Sequence, residues 1–269
     1  MILRPLATTD LPAAQRLSAG LNWPHRHEDW ALLLALGEGV AVTDPDGTLI
    51  GTGMWWPHGP DHATIGMVLV APNRQGRGIG RRIMTALLDA AAPRALMLNA
   101  TPAGLPLYAA LGFAPAGEIH QYQGSWTGAR HCPPGLRPGT AADLPGFTTL
   151  DAAAVGAPRP HSVAAVLAAG TAMARNDGAG FAIARHFGRG TVIGPVIAPD
   201  EAAAIPLVTA LAEPGAFTRL DIPATATALS GQLAAHGLAR VDTVIAMTRG
   251  TWQPAASPHR YALMAQALG

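Results

Sequence analysis

Lysine is missing altogether: all 18 basic residues of this 269-residue chain are arginine, against 17 acidic ones, for a net charge of +1. So near-neutral a balance excludes the broad basic footprint on which nucleic-acid binding rests, and the missing lysine fits compositional drift towards Ala, Arg, Gly and Pro. Cysteine is nearly absent too. Cys132, in "ARHCPPG", has no partner, which excludes an internal disulfide framework and argues against a zinc cluster, so no metal is expected. No apolar run reaches the ~18 residues a bilayer span needs, so no membrane partner is expected. The start, "MILRPLATTD", lacks the cationic and then apolar pattern of a secretory signal, which makes a cytoplasmic location the expectation. What remains is 49% hydrophobic and 13% charged, long enough for one large core or two ordinary ones.

The chain repeats itself. "LRPLATTDLP" from Leu3 matches "LRPGTAADLP" from Leu136 at an offset of almost half the length. "GVAVTDPDGTLIG" from Gly39 resembles "GFAIARHFGRGTVIG" from Gly180, and "VLVAP" from Val68 resembles "PVIAP" from Pro195. Preserved order implies tandem duplication. The division expected is 1–125, a linker at 126–135 rich in Gly and Pro, and 136–269.

In the first copy the pattern predicts a strand at Ile2 to Arg4, a helix capped by Thr9 or Asp10, and a second helix over Glu28 to Leu36. Strands at Val40 to Thr43 and Thr48 to Trp56 follow, joined by the turn formers of "DPDG". A strand from Thr64 to Val70 leads through a glycine loop into a helix over Ile79 to Ala91. A strand at Ala95 to Asn99, a helix ending near Leu111 and closing strands around Phe113 to Tyr122 complete a mixed α/β domain. The second copy has only "GTVIGPVIAP" where the first has two strands and a loop, so a shorter sheet is expected there.

The glycine loop is the most informative stretch. A helix that opens at glycines presents unpaired N–H groups and the positive end of its dipole to one spot, which suits an anion. Gly76, Gly78 and Gly80 remove Cβ atoms that would hold a phosphate away, and Arg74, Arg77, Arg81 and Arg82 supply charge. A nucleotide P-loop needs a lysine, and none exists. A dinucleotide fingerprint needs GxGxxG and an acidic residue about 20 positions on; the spacing is GxGxG, and residues 96–104 contain no Asp or Glu.

"VLVAPNRQGRGIG", with Gln75, Gly78 and Gly80, resembles the acyl-CoA loop of the GNAT superfamily of N-acyltransferases. "LYAALGF" at 107–113 is similar to the family's Y-x-x-x-G-F segment, and the order of elements agrees over the whole first copy. The resemblance implies two tandem GNAT-like domains, each a central mixed β-sheet flanked by helices, with acetyl-CoA as co-substrate. It implies pantetheine along Val68, Leu69 and Val70, and pyrophosphate on the backbone from Gly76 through Arg77, Gly78, Ile79 and Gly80 to Arg81. It implies Tyr108 as the acid that protonates departing CoA thiolate, in a ternary complex where an amine attacks directly.

The family's carboxylate on the strand before the loop is absent from "ATIGMVLV", which leaves Glu118 and His120, two apart on one strand face, as the nearest candidate bases. His58 and His62 flank a loop at the end of the sheet. Over the acceptor site the family places the segment between the first two helices, here "GLNWPHRHEDW". Trp23, His25 and Asp29 from it, with Trp55 and Trp56 of "MWWPHG", suit a cationic amine through ring and ionic contacts, and suit interdomain packing equally.

The second copy reads differently. "APDEAAAIP" sets Asp200 and Glu201 at the helix start, where they satisfy the dipole themselves and repel phosphate, and Leu233 aligns with Tyr108. It is therefore expected to keep the fold without the cofactor, and to wall the acceptor site or support a homodimer. The expected activity is acetyl transfer from acetyl-CoA to a primary amine of a small molecule; protein or peptide acetylation and non-catalytic acyl-CoA binding are the alternatives.

Overall fold

The computed structural model describes residues 1–129 and 131–269. The first half runs β1 (Ile2–Pro5), α1 (Leu11–Gly20), α2 (His27–Leu36), β2 (Glu38–Thr43), β3 (Leu49–His58), β4 (His62–Val70), α3 (Ile79–Ala91), β5 (Ala95–Ala100), α4 (Leu105–Ala109) and β6 (Ala114–Ser125). The second half repeats this order as β7 (Leu136–Gly139), α5 (Leu144–Val155), α6 (Pro160–Ala168), β8 (Gly170–Arg175), β9 (Phe181–Phe187), β10 (Gly190–Ala198), α7 (Glu201–Leu211), β11 (Phe217–Pro223), α8 (Thr227–Ala235) and β12 (Ala239–Arg249), then adds β13 (His259–Ala262). Two readings are corrected. The closing strands of the first copy are one strand, β6. The second sheet is not shorter: β8, β9 and β10 answer β2, β3 and β4, so the match from Gly39 to Gly180 had slipped by one strand. Arg130, inside the expected linker, lies outside the described residues.

The sequence repeat has a mechanical origin. Arg4 on β1 grips both carboxylate oxygens of Asp10 at 2.7 Å, and Asp10 also accepts from the Ala7 amide at 2.9 Å just before α1. Arg137 and Asp143 repeat the fork, with the Thr140 amide 2.8 Å from Asp143. A strand is thereby clamped to the start of the next helix, and proline in the first turn of α1 and α5, where no N–H is needed, completes the start.

All thirteen strands among the described residues belong to one sheet, ordered β1-β2-β3-β4-β5-β12-β6-β11-β10-β9-β8-β7, with β13 on β10. The halves exchange their last strands. β12 from the second half lies against β5, β6 from the first lies against β11, and the two pair antiparallel with each other at the centre. Side chains follow the exchange: Tyr122 and Trp126 enter the core under α7 and α8, and Met247 enters the core under α3. Helices α3, α4, α7 and α8 cover one face of the sheet. On the other, α1, α2, α5 and α6 share a single continuous core that contains Trp30, Trp56, Phe147 and Phe181. No helix among the described residues is long and apolar enough to cross a membrane.

Candidate active site

β4 and β5 pair only from His62 to Thr64 against Ala95 to Met97, although β4 continues to Val70 and β5 to Ala100. Beyond Thr64 the strands part, and their facing backbone groups are left without each other. Within the splay β4 carries a bulge. The partners of Thr52 and Met54 on β3 are Leu69 and Gly66, so one residue too many lies between them. Met67, there, has φ +52°, a left-handed conformation costly for a side chain of its size, and its carbonyl is held by the buried Thr52 hydroxyl at 2.9 Å. Such a bulge turns backbone groups into the gap. Its one trace in the sequence is Gly66 inside an apolar strand.

The slot leads to the glycine turn. Gly76 and Gly78 have φ of +73° and +75°, and an added Cβ at either would meet nothing within 4 Å. The backbone conformation demands glycine there, and the space in front stays clear. Gly78 caps α3 without a side-chain acceptor, so the amides of Ile79, Gly80 and Arg81 are orphans of the first helical turn, and those of Gly76, Arg77 and Gly78 have no acceptor among the described residues. Six consecutive N–H groups with exposed Arg77, Arg81 and Arg82 beside them fit a pyrophosphate. Arg74 is engaged elsewhere, bound to Asp44 at 2.6 Å, and Gln75 donates to the Val70 carbonyl at 3.1 Å, pinning the end of β4 to the turn.

In the second half the same places are filled. The Asp200 carboxylate caps α7 through the Ala203 amide at 2.8 Å, and Glu201 accepts from the Leu229 amide at 2.7 Å. β10 and β11 also part, after only two paired residues. Here, however, β13 pairs with Val196 to Ala198, and the Leu263 amide donates to the Asp221 carbonyl at 2.8 Å, so the chain closes its own second slot. Leu233 stands where Tyr108 does in the first half, each carbonyl accepting from the amide five residues on.

Tyr108 on α4 is buried on the α3 side of the sheet, its ring edge-on to Phe113 at 6.2 Å, and burial pushes its phenol up to about 12. No described residue hydrogen-bonds its hydroxyl. On the other face, at the inner end of the slot, lies a partly open cavity of about 160 Å³. Both halves build it. Trp23, His25 and Asp29 come from the α1–α2 segment, Gly66 and Met67 from the bulge, and Asn99 from β5. Arg185 and Phe187 on β9, Arg219 and Asp221 on β11, Asp242 on β12 and the tail at 265–267 complete it.

Of the residues singled out for the acceptor, Trp23, His25 and Asp29 are thus brought together. Trp55 and Trp56 are not in the lining. Trp55 packs under α3 with Arg94 5.3 Å over its ring, and the buried Trp56 donates to the Leu33 carbonyl at 2.9 Å. His120 is also elsewhere. It pairs across the sheet with Thr243 and Ile222, in register with Glu118 and opposite in facing to Gln121, which lines the cavity between Asp221 and Asp242. Its Nε2 lies 3.5 Å from Glu118, on the Tyr108 side. His58 is buried, with Thr64 Oγ1 3.0 Å from its Nε2.

The buried charges of the cavity are closely paired except at Arg185. Asp29 takes Arg26 at 2.9 and 3.1 Å, the Arg26 amide at 2.8 Å and the Gly188 amide at 3.0 Å; burial alone would raise its pKa, but these bonds hold it below the ordinary value. Asp221 takes Arg219 through two 3.0 Å bonds. His25 is pushed down to about 4, first by burial and then by the Arg219 guanidinium, so it is neutral at pH 7. Arg185 has no such partner. The residues missed from sequence, Asn99, Arg185, Arg219, Asp221 and Asp242, belong mostly to the second half. A signal for one existed: in "FAIARHF" Arg185 follows Phe181 and Ile183 on the inward face of an apolar strand.

An opening between parallel strands, flanked by a turn that offers only N–H groups, is what the GNAT fold provides for an acyl-CoA; the strand opening occurs here twice, but it is open beside a bare turn in the first half, and plugged beside an acid-capped helix in the second. The chain is a tandem member of the GNAT family of acyl-CoA-dependent acetyltransferases: residues 8–113 match the model of the Acetyltransferase (GNAT) family, and 147–262 that of an Acetyltransferase (GNAT) domain. A relative from Bacillus subtilis (strain 168), the uncharacterized N-acetyltransferase YitH, is 29% identical over 265 residues, covering 94% of this chain and 93% of its own. A candidate acetyltransferase from Pyrococcus horikoshii has the same fold, with a TM-score of 0.82 at 19% identity over 100% of this chain and 95% of that one. A tandem GNAT protein from the clavulanic acid biosynthesis pathway gives 0.64 at 14% identity, over 92% and 98%.

Proposed function

We propose that the first half transfers an acetyl group from acetyl-CoA to the primary amine of a small molecule held in the cavity between the halves. The observation that carries this is the compact cavity, partly open to solvent at Asp242, that meets the parted strands at Gly66 and Met67. A peptide substrate would need a groove open at both ends, whereas this cavity is walled by the α1–α2 segment on one side and the tail on the other.

Val68 to Val70 hold pantetheine, and the amides from Gly76 to Arg81 hold pyrophosphate; acetyl-CoA supplies the activated carbonyl. The amine, presented from the cavity, forms the C–N bond as the C–S bond breaks. Tyr108 reaches the leaving sulfur from the opposite face of the sheet and gives it the phenolic proton. Burial that raises the phenol also raises a thiol in the same slot, so the two stay closer in acidity than the phenol's own value suggests. The proton lost by the amine leaves into the cavity, where Asp242 lies at the exposed rim, by way of water. His120 and Glu118 lie on the Tyr108 face of the sheet, away from the cavity that holds the amine. The protein functions in the cytoplasm, and the shared central strands make one chain a complete unit, so a homodimer is not required for the site.

CoA release measured against a panel of small amines and of peptides of six or more residues tests the proposal. Turnover with small amines and none with peptides is expected; peptide turnover with small amines inert refutes it.

A further inference from the structure

Beside His25 Nδ1, two polar groups facing the cavity are left over when every internal bond has been counted, and they are of opposite kinds. Asn99 donates its amide N–H to the Gln266 carbonyl at 2.7 Å, which fixes the side-chain orientation, and leaves its Oδ1 buried without a donor. Asn99 lies on β5 where the strands part, at the inner end of the slot. Arg185, 5% exposed, is the other. Its Nε is buried with no acceptor, its terminal nitrogens make only 3.4 Å contacts with the carbonyls of His186 and Met264, and the nearest carboxylate oxygen, on Asp29, is 3.8 Å away and already engaged by Arg26.

The charge pairing agrees. Around the cavity Arg26, Arg185 and Arg219 stand against Asp29, Asp221 and, at the exposed rim, Asp242; of the two buried carboxylates Asp29 is committed to Arg26 and Asp221 to Arg219. Arg185 is therefore the buried guanidinium without a carboxylate of its own, sharing Asp29 at 3.8 Å, a costly arrangement unless something arrives to pair with it. Phe187, with Arg185 5.2 Å and Arg219 5.3 Å over its ring, holds both guanidinium planes beside the cavity, and an arginine so held presents a fork that matches a carboxylate. An acceptor atom stands where the amine must be, and a cation stands further in, on the second half.

We propose that the acceptor is an amino acid, whose amine donates to Asn99 Oδ1 at the slot and whose carboxylate pairs with Arg185. This rests on the cavity being the acceptor site, as argued above. It also gives the second half a definite function: having lost its own cofactor site, it supplies the carboxylate anchor.

The test is a panel of α- and ω-amino acids, each beside its own carboxamide, assayed by CoA release with the full chain and with Arg185→Gln and Arg185→Lys. Hydrogen bonds to a buried charge predict that the best acid exceeds its amide by at least about tenfold in kcat/KM, mainly through KM. Arg185→Gln should bring that ratio to about one, and Arg185→Lys should restore part of it. Removing an unpaired buried charge should not lower the melting temperature without ligand, whereas a structural role for Arg185 would lower it. Amides used as well as acids, or a preference for acids that survives in Arg185→Gln, overturns the assignment and leaves acetylation of small amines standing. If neither series, nor simple alkylamines, releases CoA while acetyl-CoA still binds, the acceptor-site reading falls with it.

Discussion

Gly78→Asp puts one carboxylate where the proposed pyrophosphate belongs, and the structure allows its two effects to be separated. On the folded protein without ligand the consequences oppose each other. Gly78 has φ +75°, and a left-handed conformation costs an L-residue about 1–2 kcal/mol, with Asp among the better tolerated. Against this, Gly78 is the N-cap of α3 and has no side-chain acceptor, and an aspartate in place of glycine there offsets a few tenths of a kcal/mol by satisfying an amide and about 0.3–1 kcal/mol through the dipole. No atom lies within 4 Å of the added Cβ, so no clash is superimposed, and the melting temperature should move by no more than a few degrees. Ligand binding has no such compensation. A carboxylate about 4 Å from one phosphate charge costs about 4 kcal/mol at an effective dielectric constant of about 20, or about a thousandfold in affinity. Calorimetric titration with acetyl-CoA should find binding abolished in Gly78→Asp. Gly78→Ala, which carries the strain without the charge, should lose far less. Binding of acetyl-CoA by Gly78→Asp within about threefold of the parent protein would remove the glycine turn from the cofactor site.

Three further outcomes follow from other parts of the molecule. Tyr108→Phe keeps the buried ring, so acetyl-CoA affinity should hold while kcat falls about 10²-fold to 10⁴-fold; full turnover with chemistry rate-limiting would make Tyr108 a packing residue. Residues 1–129 alone lack β12 and expose Tyr122 and Trp126, about 1.5–3 kcal/mol of lost burial for each side chain, so the fragment should aggregate or dimerise through β6; sedimentation showing a monomer that unfolds cooperatively would refute the exchange. His58 is pushed down to about 3, chiefly by burial and then by the Arg159 guanidinium. Its folded pKa lies below the unfolded value of about 6.5, so the unfolded chain takes up a proton that the native state refuses; stability is full above pH 6.5 and falls at about 1.4 kcal/mol per pH unit on descending towards pH 3. Urea unfolding at pH 7.5 and 5 should show this loss and His58→Gln should reduce it; an unchanged slope in the variant would place the proton uptake elsewhere.

Local chemistry was legible in the sequence because it is carried by near neighbours. The Arg-to-Asp clamp spans six residues, and so repeats as a visible string in both halves. The glycine turn depends on backbone conformation at Gly76 and Gly78, which few residues other than glycine adopt, so the letters themselves report it. The loss of the second anion site is equally local, since Asp200 caps the helix that it begins. None of this needs a distant contact.

Tertiary structure alone decided which half completes which. The alternation in β6 and β12 is satisfied by either sheet, because a strand's period of two says which residues face inward and nothing about whose core they enter. For the same reason nothing in "HRYA" marks β13 in the chain, and it becomes a plug because β10 and β11 have parted. The cavity is further still from the sequence: Asn99 and Arg185 are far apart along the chain, and each is ordinary until the fold buries one without a donor and the other without an acceptor. Desolvation is the physical reason, since a polar group signals a missing partner only once water has been excluded from around it, and that exclusion is a property of the packed sheet and its two layers of helices.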